Sequence, residues 1–177
     1  MRTIVVAALI AAVAVLAEGR QPGPDPKLRA QLAQLFPTAA SFSPKGGDPP
    51  HFKAYASAPP GAPAGALPVV MGYAFWTTEL EPLERGYDGP IKILVGMDGR
   101  GVLAGVIVAE HHEPYGNFSI DLPRFPAQFR GKSIRDPFKV GGDIDAVSRA
   151  TMTVSSATRA VKNSARRVAR LLIPPPQ

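Results

Sequence analysis

Asp143-Ile144-Asp145-Ala146-Val147-Ser148-Arg149-Ala150-Thr151-Met152-Thr153 gathers acids and hydroxyls immediately ahead of an unbroken helical pattern. A helix start carries unpaired backbone N–H groups and the positive end of the helix dipole. Hydroxyls placed there suit an anion such as phosphate. Thr151, Ser148 and Thr153 are the candidates to hold it. Each also has an ordinary use as a helix cap. A second group, His111-His112-Glu113-Pro114-Tyr115-Gly116, brings together titratable side chains. Neighbours on an extended segment point to opposite faces, and no third ligand follows at metal-binding spacing, so no metal is expected. Neither a Ser-His-Asp order nor a carboxylate pair points to hydrolysis.

These residues need a scaffold, and the pattern predicts an α+β fold. Asp25 and Pro26 open a short helix as cap and first residue, with Leu28, Leu32 and Leu35 on its apolar stripe and Pro37 ending it. Strands are predicted at His51 to Ala56, Val69 to Thr77, Ile91 to Met97 and Val102 to Glu110. The last two are joined by the hairpin-type turn Asp98-Gly99-Arg100-Gly101. Tyr73, Phe75 and Trp76 read as core. A short helical segment is expected from Leu122 to Phe129. The final helix runs from about Met152 to Leu172, with Val154, Val161, Val168 and Leu172 inward and Pro174-Pro175-Pro176 stopping it. An antiparallel sheet packed by helices results.

Composition narrows the function classes. The 177 residues suffice for one domain with a core, and the absence of cysteine removes disulfides, thiolate metal sites and thiol catalysis. The net charge of +6 gathers in the last helix at Arg159, Lys162, Arg166, Arg167 and Arg170. With no nucleic-acid motif beside it, that face is expected to meet anionic lipid or an acidic partner rather than nucleic acid.

The threonine segment closely resembles the Asp-x-x-Ser/Thr-Gly-Ala-Thr signature of the FMN-binding domains in the NosR/RnfG/NqrC family, with Arg149 in place of the glycine. Gly86-Tyr87-Asp88-Gly89-Pro90 looks like the family's glycine-tyrosine turn. The His111 to Gly116 segment looks like its His-x-Glu-type loop, and Phe129-Arg130-Gly131-Lys132 follows in the expected order. The resemblance implies FMN esterified through its phosphate to Thr151 by a dedicated FMN transferase that recognises Asp145 and the threonine motif. It also implies a flavin pocket drawing on Gly86, Tyr87, Glu113 and Tyr115. Arg149 leaves two outcomes open: strain where glycine supplies a positive φ, or an added charge-assisted bond to the phosphate.

From Thr3 to Ala17 the chain is uncharged and rich in Ala, Val, Leu and Ile, preceded by Arg2. A helix of that length reaches ~22 Å against the ~30 Å hydrocarbon core. It reads as a cleaved signal or as a short anchor, over residues 1–18, and either places the remainder on the periplasmic side of a bacterial inner membrane. Residues 19–68 then form a Pro/Gly-rich linker with a short helix and one strand, and residues 69–173 the FMN-binding-like domain. Two functions follow from the resemblance: an FMN electron carrier or accessory subunit of a membrane electron-transfer complex, or a flavin-free structural subunit of a respiratory or photosynthetic complex.

Overall fold

The computed structural model describes residues 23–63 and 65–174. The hydrophobic segment 3–17, expected to be a signal or anchor helix, lies outside the described residues. Within them, no helix is long and apolar enough to cross a membrane.

Helix α1 (Pro26–Leu35) begins as its sequence dictates, with the Asp25 carboxylate accepting from the Leu28 amide at 3.0 Å and proline in the first turn. Five strands follow as an antiparallel meander: β1 (Ser41–Phe42), β2 (Phe52–Tyr55), β3 (Val70–Trp76), β4 (Lys92–Asp98) and β5 (Leu103–Glu110). The expected α+β architecture is present. Strand β1 is not foreseen from the sequence, because two residues carry no alternation.

The β4–β5 hairpin is closed by its own aspartate. Asp98 Oδ1 accepts from the amides of Arg100 at 2.8 Å and Val102 at 2.9 Å. Strand alternation then divides the core between the two faces of the sheet. Ile93, Val95 and Met97 of β4 face the long C-terminal helix, whereas Leu94 packs with Leu32, Leu35 and Phe36 under α1. Glycine at positions 72 and 96 lets the Phe36 ring press onto the sheet, since a Cβ at either would meet it.

The chain turns through a one-turn helix α2 (Thr77–Leu80) after β3, and through α3 (Arg124–Ala127) after a 3-10 turn at Gly116–Phe118. Helix α4 (Thr151–Leu172) then crosses the sheet. Its Val154, Ala157, Val161, Ala165 and Val168 are fully buried, as the stripe predicts. A valine so buried contributes roughly 1.5–3 kcal/mol, so packing against the sheet, not the composition of the preceding loop, decides where α4 begins.

Candidate functional site

The two sequence clusters meet at the first turn of α4, and Glu113 joins them. Strand β5 ends at Glu110, and the chain turns inward so that the Glu113 side chain is buried. Its Oε2 accepts from the Tyr87 amide at 3.0 Å and its Oε1 from the Asp88 amide at 3.0 Å. Oε2 also accepts from the hydroxyl of Thr153, in the first turn of α4. One carboxylate thereby fixes the glycine-tyrosine turn against the threonine motif. Burial raises the Glu113 pKa, but the Thr153 hydroxyl and the two amides more than offset this and hold it below the usual carboxylate value.

Gly86 is what allows the approach, because a Cβ at that position would overlap the Glu113 carboxylate. Behind Glu113, His111 Nδ1 accepts from the Glu113 amide at 3.1 Å while Nε2 faces Asp121 Oδ1 at 2.8 Å. The ring proton therefore sits on Nε2, toward Asp121. Gly116 leaves room for this ring. A second tie is independent of the first: Arg159 of α4 donates to both carboxylate oxygens of Glu84, with Nη2–Oε1 at 2.7 Å. The loop bearing Tyr87 is thus fastened to α4 at two points.

Thr151 is the first residue of α4 and its side chain is exposed. The residue at the N-cap, Ala150, offers no side chain to the amides of the first turn. Ser148 is exposed and lies two residues before the N-cap position, so it is not the cap. Arg149 has φ +68°, the left-handed conformation that favours glycine. For arginine this conformation costs about 1–2 kcal/mol, less than the packing of Ala150 and the first valine of α4 supplies. The backbone therefore follows the path a glycine would take, with an exposed guanidinium added beside the helix start.

The remaining motif residues divide their work. Asp143 is structural: it accepts from the Lys139 amide, from the Phe138 amide at 3.2 Å and from Lys132 Nζ at 3.1 Å. Burial opposes its ionisation, yet the Lys139 amide and Lys132 hold its pKa below the usual range. Asp145 is exposed, and its amide is held by Gln128 Oε1 at 2.7 Å. Tyr87, Tyr115, Phe118 and Met152 are all exposed and lie within a few residues of the Glu113–Thr153 contact. The Tyr115 and Phe118 rings stand 5.3 Å apart. A helix start with free first-turn amides, tied through Glu113 to two loops that carry exposed aromatic side chains, suits a ligand that is phosphate at one end and planar ring at the other.

The basic face of α4 differs from the sequence expectation, for much of it serves the fold. Lys162 donates to Pro137 O at 3.0 Å, Arg166 to Ile134 O at 2.8 Å and Asp136 O at 2.9 Å, and Arg167 to Leu80 O at 2.9 Å. With Arg159 on Glu84, these cations stitch the surrounding loops to the helix.

Residues 86–166 match the family model described as FMN-binding domain. The chain is also similar to a subunit of the ion-translocating oxidoreductase complex of Escherichia coli (strain K12), 36% identical over 89 residues, covering 45% of this chain and 43% of that protein. The corresponding protein of Haemophilus influenzae (strain ATCC 51907 / DSM 11121 / KW20 / Rd) is 34% identical over 114 residues, covering 59% and 51%. That of Pseudomonas aeruginosa (strain UCBPP-PA14) is 38% identical over 91 residues, covering 46% and 42%. The matched region spans about half the length of these curated relatives or less.

Proposed function

Because residues 86–166 belong to the FMN-binding domain family, of the NosR/RnfG/NqrC type, and FMN is the cofactor of that domain, we propose that this chain carries FMN covalently on Thr151 as a subunit of a membrane electron-transfer complex. The observation that carries the reading is the exposed Thr151 at the uncapped start of α4, held in register with Tyr87 by Glu113. The residues present fit the group. The first-turn amides and Ser148 offer donors to a phosphate ester, and Arg149 adds a positive charge beside it. Thr153 donates its hydroxyl hydrogen bond to Glu113, so its part is to orient the helix start rather than to bind phosphate. Tyr87 and Tyr115 would flank the ring system, and Gly86 admits the turn that brings Tyr87 there.

When bound, FMN supplies one- or two-electron redox chemistry; the chain supplies attachment, orientation and the local field. Ester formation joins the Thr151 oxygen to the flavin phosphorus as the P–O–P bond of a flavin pyrophosphate donor breaks, the other phosphate leaving with the hydroxyl proton, and the product is lighter than chain plus free FMN by one water. An activated flavin donor and a transferase are therefore required, and the exposed Asp145 is the residue available for that transferase to read. The relatives belong to an ion-translocating oxidoreductase complex, which supports a place for this chain in an electron-transfer assembly. An extracytoplasmic position, anchored by residues 3–17 or released after cleavage, is part of the same proposal and rests on the charge and hydropathy of that segment.

Co-expression with an FMN transferase tests the reading. The wild-type band on a denaturing gel should fluoresce under ultraviolet light and Thr151→Ala should be dark, with both proteins folded. A dark wild-type band would support the alternative, a flavin-free structural subunit.

A further inference from the structure

We propose that the groove at the C-terminal end of α4 binds an anionic phospholipid, holding its phosphate between Arg135 and Arg170 and its glycerol and first acyl carbons on the apolar floor. This goes beyond the flavin reading and does not depend on it. Two depressions, of about 520 and 600 Å³, share Ile134, Arg135 and Arg170 as lining. Ile134, Ala169, Ile173 and Pro174 form the apolar surface of the larger one, and Arg100 stands at its edge. Among the described residues, Glu81 is the single acid lining either depression.

The charges around the groove are unequal in what they already do. Arg166 is occupied by the Ile134 and Asp136 carbonyls, and Arg100 by Asp98 at 3.1 Å. Arg135 and Arg170 are exposed and, among the described residues, neither guanidinium has an acid within ion-pair distance. Two such cations converging over apolar surface repel one another in the isolated fold, and an anion with an apolar body relieves both conditions. The larger depression offers guanidinium donors, its Ile134 carbonyl already accepts from Arg166, and the side-chain acceptors Glu81 and Asn163 line only the smaller one. A phosphodiester needs only donors, whereas an acidic peptide also needs acceptors for its backbone N–H groups. Volumes of this size hold a small amphiphile. Arg170 lies 19 residues along α4 from Thr151, about 28 Å at the helical rise. Lipid bound there leaves the threonine motif free.

Titration of the full chain with dihexanoyl phosphatidylglycerol below its micelle concentration, followed by amide NMR, tests this. Glycerol phosphate and hexaglutamate serve as parallel ligands. The lipid should shift the amides of Ile134, Arg135, Arg170 and Ile173, and bind more tightly than glycerol phosphate. Arg135→Gln with Arg170→Gln should weaken it at least roughly tenfold, as loss of even one charge-assisted bond of about 1.5 kcal/mol does. The variant's spectrum elsewhere should match wild type, since neither side chain bonds within the described fold. Unshifted groove amides, equal binding by the variant, or equal binding of glycerol phosphate would each overturn the proposal. Tighter binding of hexaglutamate would overturn it in favour of an acidic protein partner.

Discussion

The Thr153 hydroxyl donates to the Glu113 carboxylate across a sequence separation of 40 residues, and the same carboxylate receives the amides of Tyr87 and Asp88. Glu113 is therefore the point at which the turn, the β5 loop and α4 are brought into one register. Glu113→Ala should cost about 2 kcal/mol, since it leaves the buried Thr153 hydroxyl and two partly buried amides without an acceptor. Gly86→Ala should cost about 2 kcal/mol by crowding the same carboxylate. Combined, the two should cost less than their sum by more than about 1 kcal/mol, because the added methyl no longer meets a carboxylate. Chemical denaturation of the four proteins measures this, and strict additivity would mean that Gly86 and Glu113 do not interact.

Acid should loosen this contact only below the ordinary carboxylate range. The folded-state pKa of Glu113 lies below its unfolded value, so its contribution is complete above the unfolded pKa and is lost as pH falls through the folded one. Amide exchange at Tyr87 and Asp88 should accelerate as pH drops below the ordinary carboxylate range, after correction for intrinsic rates. In Glu113→Gln that step should be absent.

Arg149→Gly should stabilise the chain. Relief of about 1–2 kcal/mol of left-handed strain exceeds the roughly 0.5–1 kcal/mol of backbone entropy that glycine costs. A net gain of about 0.5–1 kcal/mol corresponds to a Tm rise of about 1–4 °C. Arg149→Val should lower Tm, as a β-branched residue resists this conformation more strongly. An unchanged Tm in both variants would contradict the left-handed backbone at residue 149.

Replacing Arg159, Lys162 and Arg166 together with glutamine should lower stability by about 2 kcal/mol, most of it from Arg166, whose bonds to Ile134 and Asp136 are partly buried. The Glu84 pair is more exposed and contributes under about 1 kcal/mol. Thermal melts at low and high salt separate the two contributions, since the exposed pair is screened. A triple variant melting with wild type would show that these side chains serve only contacts outside the fold.

The parts of the fold that are legible in the residues are those with local causes. The α4 stripe repeats at helical spacing, the Asp98 turn is closed by its own side chain, and Asp25 with Pro26 opens α1. The threonine motif is legible for the same reason. The Glu113 junction is not, because its partners are backbone amides and a hydroxyl far along the chain, and nothing local selects them. Arg149 stands out as a departure from a glycine, but its φ is decided by where packing places α4. The basic face reads differently in sequence and in structure because backbone carbonyls, which accept from Lys162, Arg166 and Arg167, have no signature in residue type.

Attachment of flavin at Thr151, and at no neighbouring hydroxyl, is the proposal on which the functional reading depends. Intact mass of the protein purified from its native host, followed by fragmentation of the peptide spanning Ser148 to Arg159, tests it directly. The expected result is one FMN less one water on the intact chain, located on Thr151. A native chain at its unmodified mass, or the same added mass on Ser148 or Thr153, would contradict it.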